Sequence, residues 1–216
     1  MDNYVITISR GFGSGGKAIG LALSEKLNIP CYDKEILQMA ADESGINESY
    51  FFESDEKVKP TFSNLFKRKE GNFQNYTFTP ENKKFTSDEN LFNFQAAIMR
   101  HIARTESCII IGRASNYVLR TYPNVFSVNI QAPLEDCIQE TMNRMFLSYS
   151  EAQKMVQKSD KYRADYYYYY TGEKWLQSDF YDMHLNTGRL SRIDCVDIII
   201  NAAETKLKRK LLSENV

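Results

Sequence analysis

Seven residues near the start of the chain carry its strongest chemical signal. Gly11-Phe12-Gly13-Ser14-Gly15-Gly16-Lys17 follow the apolar run Tyr4-Val5-Ile6-Thr7-Ile8 and lead into a helical pattern. A strand, a glycine-rich turn and a helix start together form an anion site, because main-chain N–H groups point outward and the helix N-terminus carries partial positive charge. Lys17 adds a full positive charge, so the ligand this spacing calls for is a polyphosphate. A lysine in a first helical turn opposes the helix dipole, which argues that it is there for a ligand.

Two motifs overlap in this stretch. Gly11, Gly16 and Lys17 fit the phosphate-loop pattern G-x-x-x-x-G-K. Gly11, Gly13 and Gly16 also fit the dinucleotide fingerprint G-x-G-x-x-G, with Asp33 near the distance at which that fingerprint expects an acid. Three features favour the phosphate loop. Lys17 stands where such a loop's lysine reaches the β- and γ-phosphates. The run before Asp33 is short and starts at Pro30, a poor central strand. The later chain is rich in Lys, Arg and Tyr, which suits an element that closes on phosphates. One position departs from the pattern: where Ser or Thr would hold Mg²⁺, the chain has Ala18.

The elements that must position these residues alternate. Val5–Ser9, Cys31–Asp33, Cys108–Ile111, Val125–Ile130 and Met183–Asn186 read as strands, the third as a continuous apolar run of the kind buried in a parallel sheet. Helical spacing appears over Lys17–Leu27, Lys34–Glu43, Asp88–Arg104, Ala114–Arg120, Leu134–Met145 and Ser150–Tyr170, and Ser191–Ala203 reads as a helix or a helix–strand pair. The fold class expected is α/β, a parallel sheet covered by helices on both faces. Glu53–Thr86 lacks steady period, contains Pro60 and Pro80, and reads as an insertion. Its basic run Lys67-Arg68-Lys69 reads as a solvated face.

Composition narrows the classes. At 216 residues and 43% hydrophobic, the chain can build one sizeable core. A net charge of −1 gives no global electrostatic case for nucleic acid or an acidic membrane. Four cysteines lie far apart with no C-x-x-C pair, so reduced thiols are expected and a metal cluster or disulfide framework is not. His101 and His184 have no nucleophile or carboxylate at motif spacing. There is no signal pattern and no apolar run near the roughly 20 residues of a membrane span, so a cytoplasmic protein is expected. Nothing in the pattern sets an oligomeric state.

Several blocks together resemble one family. They are Ile6-Thr7-Ile8-Ser9-Arg10 with Gly13-Ser14-Gly15-Gly16-Lys17, Ile29-Pro30-Cys31-Tyr32-Asp33-Lys34-Glu35-Ile36, Ile110-Ile111-Gly112-Arg113-Ala114 and Ala132-Pro133-Leu134-Glu135. Further on come Asp160-Lys161-Tyr162-Arg163-Ala164-Asp165-Tyr166-Tyr167 with Tyr169-Tyr170-Thr171-Gly172, and Asn186-Thr187-Gly188-Arg189-Leu190. In content and order they are similar to the cytidylate kinase-like proteins, a branch of the P-loop nucleoside monophosphate kinases. The resemblance implies a P-loop kinase with a five-stranded parallel sheet, a monophosphate-binding insertion and a helical lid. The core would span 1–43, 88–147 and 181–216, the insertion about 44–87 and the lid about 148–175.

Phosphoryl transfer asks a protein for positioning and positive charge. Gly13, Ser14, Gly15, Gly16, Lys17 and Ala18 would cradle the phosphates of ATP, with Lys17 bridging β and γ. With Ala18 in place, Mg²⁺ would be held by substrate phosphates and water; Asp33 would orient the acceptor or hold Mg²⁺ through water, with a helix cap as its other role. The ligand crevice of an open parallel sheet lies at the carboxyl ends of its strands. Arg113 therefore points toward it, and the resemblance makes Arg113 an acceptor-phosphate arginine. Arg10 either reaches a phosphate or faces solvent. Lys158, Lys161 and Arg163 are lid cations on the strength of the resemblance, with Lys158 and Lys161 on one helical face. Arg144 and Arg189 read as surface residues. Of the five tyrosines Tyr166–Tyr170, most are expected to pack.

The resemblance implies a nucleoside monophosphate acceptor, CMP or dCMP by default. Three readings stand beside that one: a kinase for a different small-molecule acceptor, a nucleotide-binding module without kinase turnover, motivated by Ala18 and the irregular insertion, and a dinucleotide-binding oxidoreductase.

Overall fold

A computed structural model describes residues 3–51 and 88–212. The elements, in chain order, are β1 (Val5–Arg10), α1 (Gly16–Leu27), β2 (Cys31–Tyr32), α2 (Glu35–Ser44), α3 (Asp88–Thr105), β3 (Cys108–Ile111), α4 (Ser115–Val118), β4 (Val125–Gln131), α5 (Leu134–Met145), α6 (Tyr149–Thr171), β5 (Met183–Asn186) and α7 (Arg192–Leu207). The strands form one sheet in the order β2-β3-β1-β4-β5, and every pairing is parallel. The phosphate-loop strand β1 is thus central, flanked by β3 and β4, and the segment after β5 is one helix, α7.

Alternation along the strands splits the core in two. Ile6 and Ile8 of β1, with Val128 and Ile130 of β4, face Ile19 and Leu23 of α1 and Ile199 of α7. Val5, Cys108, Ile110 and Val125 face the other way, onto Ile36 and Leu37 of α2 and Met99 and Ile102 of α3. Central strands buried on both sides need apolar residues at nearly every position, which is why Cys108–Ile111 reads as an unbroken run. At the edge, β5 buries only Leu185, and its sequence signal is correspondingly weak.

Residues 52–87, most of the expected insertion, lie outside the described residues, as does the run Lys67-Arg68-Lys69. The insertion's first residues are anchored, because Ile46 and Phe51 are buried in the second core.

The helix α6 begins with a reciprocal cap, in which Ser148 accepts from the Glu151 amide and Glu151 accepts from the Ser148 amide. Its C-terminal half is aromatic. Tyr166, Tyr167 and Tyr170 are buried with Ala114 and Trp175, and Phe92 of α3 stacks on Tyr170 at 4.2 Å. Tyr168 faces outward. A helix turns about 100° per residue, so five tyrosines in a row cannot share one face.

Candidate active site

The phosphate loop leaves β1 at Arg10 and returns as α1 at Gly16. Gly13 (φ 81°) and Gly15 (φ 78°) adopt left-handed backbone, which disfavours any residue with a Cβ. A Cβ on Gly13 would also come 2.5 Å from the Cys137 carbonyl of α5. Ser14 is buried and donates its hydroxyl proton to the Gly11 carbonyl (2.9 Å), so it braces the turn. Thr187, just past β5, donates to the Ser14 carbonyl at 2.8 Å. Gly15, the N-cap of α1, has no side chain to cover the first amides of that helix, which leaves them for a ligand.

Lys17 is 58% exposed and places Nζ 2.9 Å from Asp33 Oδ2. Arg10 approaches the other oxygen, Oδ1, at 3.6 Å. Burial works to raise the Asp33 pKa. The hydrogen bond from Lys17 and the charges of Arg10, Lys17 and Arg113 outweigh it and hold the carboxyl below its ordinary range. Asp33 is therefore an anion clasped by the cations of the loop.

Arg113 follows β3 in a turn whose residues are all left-handed: Gly112 (φ 76°), Arg113 (φ 56°) and Ala114 (φ 51°). Each non-glycine in that region costs about 1–2 kcal/mol, so the turn stores strain at the strand's carboxyl end. Arg113 Nε donates to the Asp33 carbonyl (2.9 Å), and NH1 reaches Gln95 Oε1 of α3 (3.4 Å). Gly112 leaves room for the Arg10 guanidinium, which a Cβ there would overlap.

The middle of α6 is fastened to the loop. The Phe12 amide donates to Asp160 Oδ1 (2.7 Å), and Arg163 NH1 donates to the Arg10 carbonyl and to Asp160 Oδ1, both at 3.1 Å. Here burial wins and lifts the Asp160 pKa above the ordinary value, although the Phe12 amide and Arg163 pull the other way. Arg163 and Arg144 both lie 5.5 Å from the Phe12 ring centre, so Arg144, read from sequence as a surface residue, belongs beside the loop.

Between these elements and α6 opens a cavity of about 1010 Å³. Arg10, Asp33, Arg113, Lys158 and Arg163 all border it. So do Lys154, Tyr162 and Trp175, which the sequence did not single out. Trp175 Nε1 donates to Ser9 Oγ at 2.7 Å, tying the segment after α6 to β1. Lys161 is not on the cavity wall. It pairs with Asp165 at 2.6 Å and is 70% exposed. The expectation that Lys158 and Lys161 share the functional face is corrected accordingly. From Lys158 the wall continues to Tyr162, about 40° round the helix, whereas Lys161 lies about 60° round on the other side.

The sequence match runs through all of this. The model of the cytidylate kinase-like family matches residues 5–189. The chain belongs to that family. The matched span takes in the phosphate loop, Asp33, Arg113 and the whole of α6, and it stops in the turn before α7. No curated protein matches this member of the cytidylate kinase-like family. Among solved structures it is similar to an uncharacterized protein from Eubacterium ventriosum ATCC 27560, with 26% identity, a TM-score of 0.68, and coverage of 94% of this chain and 99% of that one. It is also similar to the shikimate kinase from Acinetobacter baumannii in complex with shikimate, at 13% identity and TM-score 0.51, covering 94% of each chain. The shikimate kinase from Bacteroides thetaiotaomicron aligns at 10% identity and TM-score 0.50, over 95% and 98% of the two chains. These likenesses show the fold, which is that of a P-loop kinase. No helix among the described residues is long and apolar enough to cross a membrane.

Proposed function

We propose that this chain transfers the γ-phosphoryl group of ATP to a nucleoside monophosphate in the cytoplasm, with CMP or dCMP as the acceptor. One observation carries the reading: Lys17 of the phosphate loop and Arg10 meet at Asp33, on the border of a cavity whose wall also bears Arg113, Lys154, Lys158 and Arg163. A dianionic phosphate is the acceptor group that such a wall attracts, and guanidinium forks match its oxygens. The aromatic wall supplied by Tyr162, Tyr166 and Trp175 suits a base. The volume exceeds what a phosphate alone needs.

In this reading the amides from Gly13 to Ala18 hold the β-phosphate, and Lys17 leaves Asp33 to bridge β and γ. Arg113 and Arg10 hold the acceptor phosphate, while Arg163 and Lys158 add charge where negative charge spreads in the transition state. Lys161, outside the wall, reaches the ligand only if α6 shifts.

The residues present fit a substrate-borne Mg²⁺. Ala18 offers no hydroxyl, and no group of three or more His, Cys, Asp or Glu gathers among the described residues. Substrate phosphates and water would supply most ligands, and Asp33, paired with Lys17, is a carboxylate placed to add one. When bound, the ion neutralises phosphate oxygens.

The test is a coupled assay with ATP, Mg²⁺ and a panel of monophosphates. Turnover with CMP or dCMP that disappears in Lys17→Ala supports the proposal. ATP binding without turnover on any acceptor supports the second reading, a nucleotide-binding module, which the alanine at position 18 favours.

A further inference from the structure

Arg192, the first residue of α7, is a cation in a first helical turn, a place where the dipole favours acids. Asp194, nearby, satisfies that preference, its carboxylate accepting from the Ser191 hydroxyl. The same mismatch marks Lys17, and Arg192 lies beside the same loop. Its guanidinium covers Gly15: a Cβ on that glycine would come 3.0 Å from Arg192 Nε and 3.6 Å from Cζ. The turn leading into α7 is itself tied to the loop by the Thr187–Ser14 hydrogen bond. Arg192 NH2 rests on Glu140 Oε1 of α5 at 2.8 Å, with the two side chains 51% and 34% exposed. The family match stops at 189, before this residue.

Direction decides what Arg192 faces. The cationic cavity opens on the side of Ser9–Phe12 and Asp33, and neither Gly15 nor Arg192 is on its wall. In-line phosphoryl transfer puts the acceptor oxygen and the departing ADP on opposite sides of the moving group. With the acceptor in that cavity, the donor beyond its β-phosphate must leave the loop the other way, past Gly15.

We propose that Arg192 binds the α-phosphate of the donor nucleotide, exchanging Glu140 for it. This role deepens the proposed kinase reading and rests on the loop holding a nucleoside triphosphate. The exchange is feasible because a solvent-exposed ion pair is weak, and the guanidinium gains a phosphate that it can grip with two N–H groups.

The experiment titrates fluorescent ATP and ADP analogues against the full chain, Arg192→Ala, Arg192→Lys, Glu140→Gln and Lys17→Ala. Arg192→Ala should raise both dissociation constants roughly ten-fold, as loss of a charged hydrogen bond does. Its acceptor KM and its melting temperature should match the parent's. Arg192→Lys should recover part of the affinity. Glu140→Gln should bind donor as tightly as the parent or tighter, because the competing carboxylate is gone. Unchanged affinity in Arg192→Ala overturns the role of Arg192 and leaves the phosphate loop standing. Weaker binding in Glu140→Gln overturns the exchange. If the parent binds neither analogue, the kinase reading itself fails.

Discussion

The two flanks of the phosphate loop are built differently. On the cavity side, Arg163 and Asp160 are half-buried, bonded to each other and to the backbone at Arg10 and Phe12, and Arg113 stands on a strained turn. On the far side, Arg192 is about half exposed and rests on the partly exposed Glu140. Cations held by backbone bonds are fixed before a ligand arrives. A cation held by an exposed carboxylate can change partner at small cost. On the proposed assignment of the flanks, the contrast suits a site that places its acceptor accurately while admitting and releasing its donor.

The largest effect should come from the residue the two flanks share. Lys17→Ala removes the loop's one ammonium and its hydrogen bond to Asp33, leaving the charges of Arg10 and Arg113 beside that carboxylate. Turnover should fall about 10³-fold, the scale of losing a group that meets charge in a transition state. A loss under about ten-fold in the coupled assay would mean that Lys17 is a surface lysine, and the comparison of flanks would have no centre.

Next comes stability, which should separate the flanks directly. Arg163→Ala takes the guanidinium from the Asp160 carboxylate, which keeps the Phe12 amide, and removes the bond to the Arg10 carbonyl. Breaking a fully buried pair costs about 3–5 kcal/mol; with these side chains 21% and 30% exposed, about 1–3 kcal/mol is the expected loss. Arg192→Ala should stay within about 0.5 kcal/mol, as exposed pairs do. Urea unfolding of both variants measures this. Equal losses would show that the far flank is as rigid as the near one.

Strands, helices and their order were readable because a doubly covered parallel sheet writes itself as apolar runs separated by amphipathic helices. Asp33 and Arg113 could be placed beside the crevice for a related reason, as each follows a strand and crevices open at strand ends, whereas Arg10 was left open between a phosphate and solvent. Contacts across the sequence were not. Nothing local tells that Asp160 meets the Phe12 amide or that Arg144 lies over the same ring. Lys161 was misplaced because the spacing to Lys158 leaves two neighbouring faces open, and only the packing of α6 chooses between them. Arg192 did leave a mark, a first-turn cation. That mark points to a ligand only when the loop beside it is known.

The subtlest difference concerns two acids that touch the same loop. Asp33, beside Lys17 and Arg10, has its pKa held below the ordinary value of 3.8, while Asp160, where burial prevails, has its pKa raised above it. The signs of their contributions to stability are therefore opposite. Asp33 stabilises the fold above its unfolded pKa, and that stabilisation is lost as pH falls through its lower folded value. Asp160 costs stability when ionised, and that cost disappears as pH falls from its raised folded value to 3.8. Relative to the parent, Asp33→Asn should be most destabilised near neutrality, with the gap closing as the medium is acidified below about pH 4. For Asp160→Asn the gap should widen with acidification, because the parent gains by taking up a proton that the amide cannot. Urea midpoints across the acid range read both gaps. If they move the same way, the Asp160 carboxylate is as well compensated as that of Asp33, and the near flank is held by its ion pairs rather than by burial.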